Sequence, residues 1–408
     1  MTKLRVIVVF FLSLALLSGL FAANFAYTSR FKGGLDFAPL WQGARNFLFQ
    51  GLTPYGELTA LNAQNLVYGR AARPLENHLR PDQPLFLLLL YSPLAAIASF
   101  GLARALWMTA LELALAALIF LSLQLTGWRP RPLAWLPLLI FSLAAFPTLT
   151  ALQAASPVIP LALTFLAALW AIARRTDEAA GFLLAFTLIY AENSLPALLF
   201  LLLWSLLSDR RQIAAAFGMT LVLAFSLAQL LAPGWMNDFF RAAFINFRFY
   251  ASASTFSLFE KWFPAIGLRL AWGLTFATLL MLGLETALAL RRDSRWLFWT
   301  FSLFLCASPL LGLPFPAPQR LFLFLPASLL IASIMDQRWG GWGRLAALTV
   351  FGLIFAALWA QSFFNIQNAF LWLSPLMLIL LYWVRWWAAR PARLWADQLS
   401  EMDAHDPR

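Results

Sequence analysis

The sequence predicts an all-α polytopic membrane protein, and three observations carry that prediction. Of its 408 residues 62% are hydrophobic and only 12% are charged, with 39 Phe and 19 Trp, whereas a soluble domain is typically about 45–50% apolar and about 25% charged. Apolar runs of the length that crosses a hydrocarbon core of about 30 Å recur from one end of the chain to the other. Short Arg-rich loops punctuate those runs at regular intervals, and such loops mark the cytoplasmic side of a membrane.

The elements follow in order. Residues 5–27 begin after Lys3 with a basic flank and continue as an apolar stretch. That stretch is longer than a signal-peptide h-region, and Ala22-Ala23-Asn24 is a poor cleavage site, so it reads as a retained helix. Further apolar segments occupy 84–100, 103–125, 132–149, 156–173, 179–190, 195–207, 211–231, 266–290, 296–311, 321–335, 344–361 and 369–388. Between them lie GWRPRP, ARRTDE, SDRR, RRDSR, DQRWGGWGR and the tail RWWAARPAR. If all of these face the cytoplasm, the intervening segments go out and back in pairs, the shortest being 179–190 and 195–207, joined at Ala191 to Ser194. The segment 84–100 carries Pro93 at its middle and is expected in the outer interface. About twelve spans result, with both termini cytoplasmic; a thirteenth would place GWRPRP outside. The whole chain, 1–408, reads as one integral membrane domain with a first outer loop at 28–83, a second at 232–265 and a cytoplasmic tail at 389–408.

The net charge of +11 resides mostly in the short loops, which makes it a topology signal and leaves no nucleic-acid partner to infer. One cysteine, Cys306, excludes an intrachain disulfide. No Ser-His-Asp, CxxC, HExxH or P-loop pattern is present, and the two histidines, His78 and His405, have no metal-ligand spacing. Neither a cofactor nor a metal is therefore expected.

The first outer loop holds the stretch DFAPLWQGARNFLFQGLTPYG. Phe37, Leu40, Trp41, Ala44, Phe47 and Leu48 fall on one helical face, Gly51 is a natural stop and Pro54 blocks continuation. This predicts a short amphipathic helix, with its aromatics at the lipid boundary. Asp36 stands at the N-cap position after a Gly33-Gly34 hinge. Its carboxylate either caps free N–H groups or stands at the membrane surface to accept a proton from a substrate hydroxyl.

Asp36-Phe37, Ala44-Arg45, Gly51 and Pro54-Tyr55 together resemble the first-loop signature of glycosyltransferase family 87, polyprenyl-phosphate-mannose-dependent mannosyltransferases of the GT-C superfamily. Tyr91-Ser92-Pro93-Leu94-Ala95 is similar to that family's YPPLA element, and Leu152-Gln153 to its Gly-Gln element. The resemblance implies a GT-C-like fold and a polyprenyl-phosphate sugar donor, with mannose the expected sugar. It further implies a lipid or glycan acceptor on the outer face of the cell membrane, an inverting mechanism, and Asp36 as the matching catalytic acid. Two elements depart from the family: Glu192-Asn193-Ser194-Leu195-Pro196 stands where Lys-Pro is common, and Gln319-Arg320 where His or Asp is common.

The remaining polar residues are candidates for a site around Asp36. Arg320, following PFPAP, either holds a phosphate through charge-assisted bonds or snorkels to headgroups, and Arg248 and Lys261 of the second loop, with Arg241, are alternative phosphate ligands. Tyr55, Gln153, Glu192, Gln319 and His78 are candidates for the substrate pocket. Glu112 and Glu285 lie inside apolar runs with no partner to be named. A transporter or lipid flippase, with paired ionisable groups at mid-membrane, and a non-catalytic membrane scaffold are the alternatives.

Overall fold

A computed structural model describes residues 3–74, 76–130, 132–290, 296–315, 318–364 and 370–389. The RRDSR loop and the tail from residue 390 lie outside the described residues. Every regular element among those residues is helical. Among the described residues six helical stretches are long and apolar enough to cross a membrane, and a seventh forms if α7 (Pro132–Ala144) and α8 (Phe146–Gln153), bent by 47° at their junction, are taken together. Leu12 and Phe10 on α1 (Lys3–Arg30), Leu230 and Met219 on α12 (Arg211–Leu231), and Phe276 on α15 (Gly267–Ala289) are more than 60% exposed. An apolar surface of that extent calls for lipid rather than water, which fits a polytopic membrane protein.

The first loop is helical where the periodicity predicts it. It contains α2 (Phe37–Gln50), ended by Gly51 at φ 64° with its N–H on the Asn46 carbonyl, and then α3 (Glu57–Tyr68). The expected lipid-facing position of α2 needs correction. Phe37 and Trp41 are buried, with Phe37 against the rings of Tyr91, Phe100 and Trp107 and Trp41 against Phe100. From Phe37 to Ala44 the amphipathic stripe is therefore covered by the protein's own helices, while Leu48 at its far end is exposed. The segment 84–100 is a broken helix, α4 (Leu85–Leu88) and α5 (Ser92–Ala95); at about 16 Å for eleven residues it is too short to span. Its Leu94 and Ala95 carbonyls accept from Trp41 and Arg45, which seats it on α2. α6 (Phe100–Thr126) follows, capped by the Ser99 hydroxyl and stopped by Gly127 at φ 62°.

After α9 (Val158–Ala173) come α10 (Asp177–Ala185) and α11 (Ala191–Leu207), joined by a 3₁₀ turn at Phe186–Tyr190. Arg210, just past α11, pairs with Asp177 at the start of α10 and donates to the Ile172 carbonyl. Both ends of the helical stretch thus sit together, so the chain reverses near the 3₁₀ turn as the sequence pairing anticipates. The same argument applies to α17 (Leu325–Phe364). Leu325 and Ser328 line one small cavity together with Ile354 and Leu358, residues that a straight helix would hold about 40 Å apart. The chain must therefore double back within α17.

The second loop is also helical, forming α13 (Trp235–Tyr250) and α14 (Thr255–Trp262). α16 (Leu297–Ala307) and α18 (Phe370–Trp383) complete the bundle. The two long loops pack on one another: Thr53 donates to Asp238, Asn246 to the Arg80 carbonyl and Asn77 to the Tyr250 hydroxyl. The intramembrane acids acquire partners: Glu112 accepts from Asn24, and Glu285 pairs with Arg385 and accepts from Tyr382.

One packing contact admits no side chain. A Cβ on Gly181 of α10 would press on the Ile213 carbonyl oxygen and lie 2.8 Å from the Phe217 nitrogen of α12. Since backbone cannot yield as a flexible side chain does, Gly181→Ala is expected to cost about 1–3 kcal/mol. A lowered melting temperature of the purified protein checks this; an unchanged one would mean that the helices separate freely.

Candidate active site

The hinge before α2 is built against a buried arginine. Arg104 of α6, 1% exposed, donates to the Phe31 carbonyl at 2.9 Å and to the Gln153 carbonyl at 3.1 Å. Gly34 (φ 79°) passes directly over it, and a Cβ there would lie 3.1 Å from Arg104 Cδ. The Gly34 N–H bonds the Gln153 carbonyl and the Asp36 N–H the Ala154 carbonyl, at 3.2 and 3.1 Å. These bonds fix where Asp36 stands relative to the end of α8.

Asp36 occupies the N-cap position of α2, but its side chain makes no capping bond. The carboxylate turns the other way. Tyr190 donates to its Oδ2 at 3.2 Å, and the Gln319 amide nitrogen lies 3.3 and 3.2 Å from its two oxygens. The capping alternative thus fails in its geometry although the position is the one expected.

From Tyr190 a polar partition continues away from Asp36. The Arg320 guanidinium lies 3.3 Å from the centre of the Tyr190 ring. Arg320, 4% exposed, donates to Asn193 Oδ1 at 2.6 Å and pairs with Glu192 at 3.0 Å. Asn193 in turn donates to the Pro314 carbonyl at 3.2 Å. The reversal between α10 and α11 is what brings Tyr190, Glu192 and Asn193 to this place.

Two cavities flank the partition. The first, about 580 Å³, is the more polar of the two and is lined by Lys32, Asp36, Asn77, Gln153 and Gln319 among others. The second, about 560 Å³, is lined by Asp82, Glu192 and the aromatic face of α13, Phe239, Phe240, Phe244 and Phe247. Tyr250 lines both. Burial, reinforced by the Glu192 carboxylate and opposed by Arg320, pushes the Asp82 carboxyl up to about 7. Burial likewise pushes the Tyr250 hydroxyl well above its usual range. Among the described residues no three His, Cys, Asp or Glu side chains converge to hold a metal.

Of the sequence-derived candidates, Asp36, Gln153, Glu192, Gln319 and Arg320 gather around the two cavities. Tyr55 does not: its hydroxyl donates to the Gln83 carbonyl and its ring packs on Phe239. His78 lies against Phe249, while its neighbour Asn77 reaches the polar cavity. Arg248 is exposed beside Phe244, Lys261 is exposed, and neither lines either of these two cavities. Arg241 is exposed as well. Sequence reasoning missed Lys32, Asp82, Arg104, Tyr190 and Asn193. Lys32 and Asp82 carried a usable signal, being charges inside a long loop already singled out; the others gain meaning only from contacts across the fold.

The model of glycosyltransferase family 87 fits residues 83–314, which include Asp82's neighbour Gln83, Tyr190 and Glu192 but neither Asp36 nor Gln319-Arg320. No curated protein and no solved structure matches the chain.

Proposed function

The chain belongs to glycosyltransferase family 87, and from that premise we propose that it transfers a sugar from a polyprenyl-phosphate donor to an acceptor hydroxyl, with Asp36 as the base. Mannose is the expected sugar and a lipid-linked or glycan hydroxyl the acceptor. The reaction is assigned to the outer face of the cell membrane, on a GT-C framework of about twelve spans with both termini inside. The observation that carries the reading is the Asp36 carboxylate, turned from the helix it precedes toward a cavity of about 580 Å³.

In this reading the acceptor occupies the polar cavity and gives its hydroxyl proton to Asp36. Its oxygen attacks the anomeric carbon from the face opposite the phosphate, the C–O bond to phosphate breaks, and the polyprenyl phosphate leaves with the electron pair. The configuration inverts. Tyr190 and Gln319 hold the carboxylate in place. The polyprenyl chain runs along the aromatic face of α13, and Arg320 meets the phosphate, whose growing charge a fixed cation stabilises more in the transition state than in the ground state. Lys32, at the polar cavity, is a second cation within the site.

The test is transfer of radiolabelled sugar by the purified protein from polyprenyl-phosphate mannose, then from the glucose and arabinose analogues, to lipid and oligosaccharide acceptors. Label reaching an acceptor is the expected result; folded protein that transfers from none of the three overturns the reading.

A pH dependence follows from Asp82. Its charge faces Glu192, Arg320 and Asp36, with Tyr250 adjoining. Above about 7 it adds a negative charge beside Arg320, so a prenyl phosphodiester, whose own charge is constant in this range, is expected to bind more weakly as pH rises through neutrality. Asp82→Asn is expected to flatten the profile. A flat wild-type titration from about pH 6 to about 8 would remove Asp82 from the electrostatics of the site.

A further inference from the structure

We propose that Glu192 is a resident stand-in for the phosphate on Arg320, displaced when the donor binds and returning to expel the polyprenyl monophosphate product. The inference rests on the reading of Arg320 as the phosphate's cation. As the structure stands, Glu192 takes one N–H of that cation, Asn193 another, and the Tyr190 ring covers one face. Arg320 lines neither cavity whereas Glu192 lines the aromatic one, so a phosphate entering from that side meets Arg320 where Glu192 now stands.

The partners are unequal. Asn193 is buried and tied to the Pro314 carbonyl, and Tyr190 is tied to Asp36. Glu192 is the exposed member of the ion pair, its side chain 28% accessible against 5% for Arg320, and it faces the aromatic cavity. It is also the only one of the three that carries a charge like that of the incoming ligand. Exchange of Glu192 for a phosphate therefore leaves the cation anchored by its two neutral neighbours and keeps it neutralised throughout.

The charges give the exchange a direction. The donor is a phosphodiester with one negative charge, equal to that of the carboxylate it displaces. The product is a phosphomonoester carrying about −1.5 to −2 at neutral pH, which would cling to a lone buried arginine. A carboxylate held nearby competes for the same guanidinium and shortens that stay. Glu192 thus sets the balance between donor capture and product release.

The experiment is competition binding of a short-chain prenyl monophosphate to detergent-purified full-length protein, wild type against Glu192→Gln. Gln keeps the size of the side chain and an oxygen to accept from Arg320 while removing the competing charge. Affinity is expected to rise about tenfold, the lower end of what a close desolvated charge pair contributes. In turnover the variant should show a lower KM for donor, stronger inhibition by product and a reduced kcat. The corresponding prenyl alcohol should bind both proteins equally, and Arg320→Gln/Glu192→Gln should lose the gain.

Unchanged or weaker monophosphate binding by Glu192→Gln overturns the proposal. An equal gain for the alcohol, a gain that survives without Arg320, or no binding by either protein does the same. Failure of the base assignment is separately visible, because Asp36→Asn that still transfers sugar leaves the Glu192 result standing.

Discussion

Purified Asp36→Asn is expected to transfer sugar about 10²–10⁴-fold more slowly than wild type, the usual contribution of a positioned general base, with its melting temperature unchanged. The two halves of that expectation have one cause. Because the carboxylate makes no capping bond, its replacement costs α2 nothing, and Asn is in any case a good N-cap residue. The Asn oxygen still accepts from Tyr190 or Gln319, so the partition keeps its shape. What is lost is the ability to take up the acceptor's proton. Radiolabel transfer and thermal unfolding measured on the same preparations check both halves; a variant that folds and transfers normally would move the base to another carboxylate, with Asp82 and Glu192 next in line.

The second large effect is expected at Arg104→Met, a residue that touches neither cavity. A charge-assisted hydrogen bond contributes about 1.5–3 kcal/mol. Arg104 makes two, and its loss leaves the Phe31 carbonyl without that donor while Gln153 keeps the Gly34 N–H. A destabilisation of about 3 kcal/mol is expected. The effect on catalysis should be larger than that on stability, because the hinge that Arg104 supports carries Asp36, and a displacement of about 1 Å can cost about 10²-fold in rate. Arg104→Lys should recover part of both by restoring one bond. Thermal unfolding and transfer rate decide it: a Met variant equal to wild type in both would show that the hinge holds itself.

The parts of this fold legible in the sequence are those governed by local rules. Hydropathy gives the apolar segments, the two short arms joined at Ala191 to Ser194 give the reversal near the 3₁₀ turn, DQRWGGWGR gives the one within α17, and the 3.6-residue period with Gly51 gives α2. The covering of α2 was not legible, because an apolar stripe records that a face is buried and not whether lipid or Tyr91, Phe100 and Trp107 bury it. Asp36 was reached through its hinge and its motif. Arg104 reads from sequence as one charge in an apolar helix, and only the fold reveals the two carbonyls that account for it. Glu192 and Arg320 were each legible as polar residues near the ends of apolar segments, but their pairing was not, since nothing local specifies a contact across the bundle. Arg248 and Lys261 show the opposite error: suitable chemistry in a suitable loop, placed on faces of α13 and α14 that line neither cavity.

The partition between the cavities also bears on how the protein is made. Asp36 meets Gln319 across 283 residues, and Asn193 meets Arg320 across 127. At about 5–20 residues per second of synthesis, the amide that holds Asp36 emerges some 15–60 s after the carboxylate does. Throughout that interval the nascent chain carries Asp36, and in its later part Glu192 as well, without Gln319 or Arg320 to meet them. A chain cut short before residue 319 lacks the Gln319 and Arg320 partners of those acids for good, so completion of translation is itself a step in stabilising the protein, and unfinished chains differ from finished ones in a way that membrane proteases can act on.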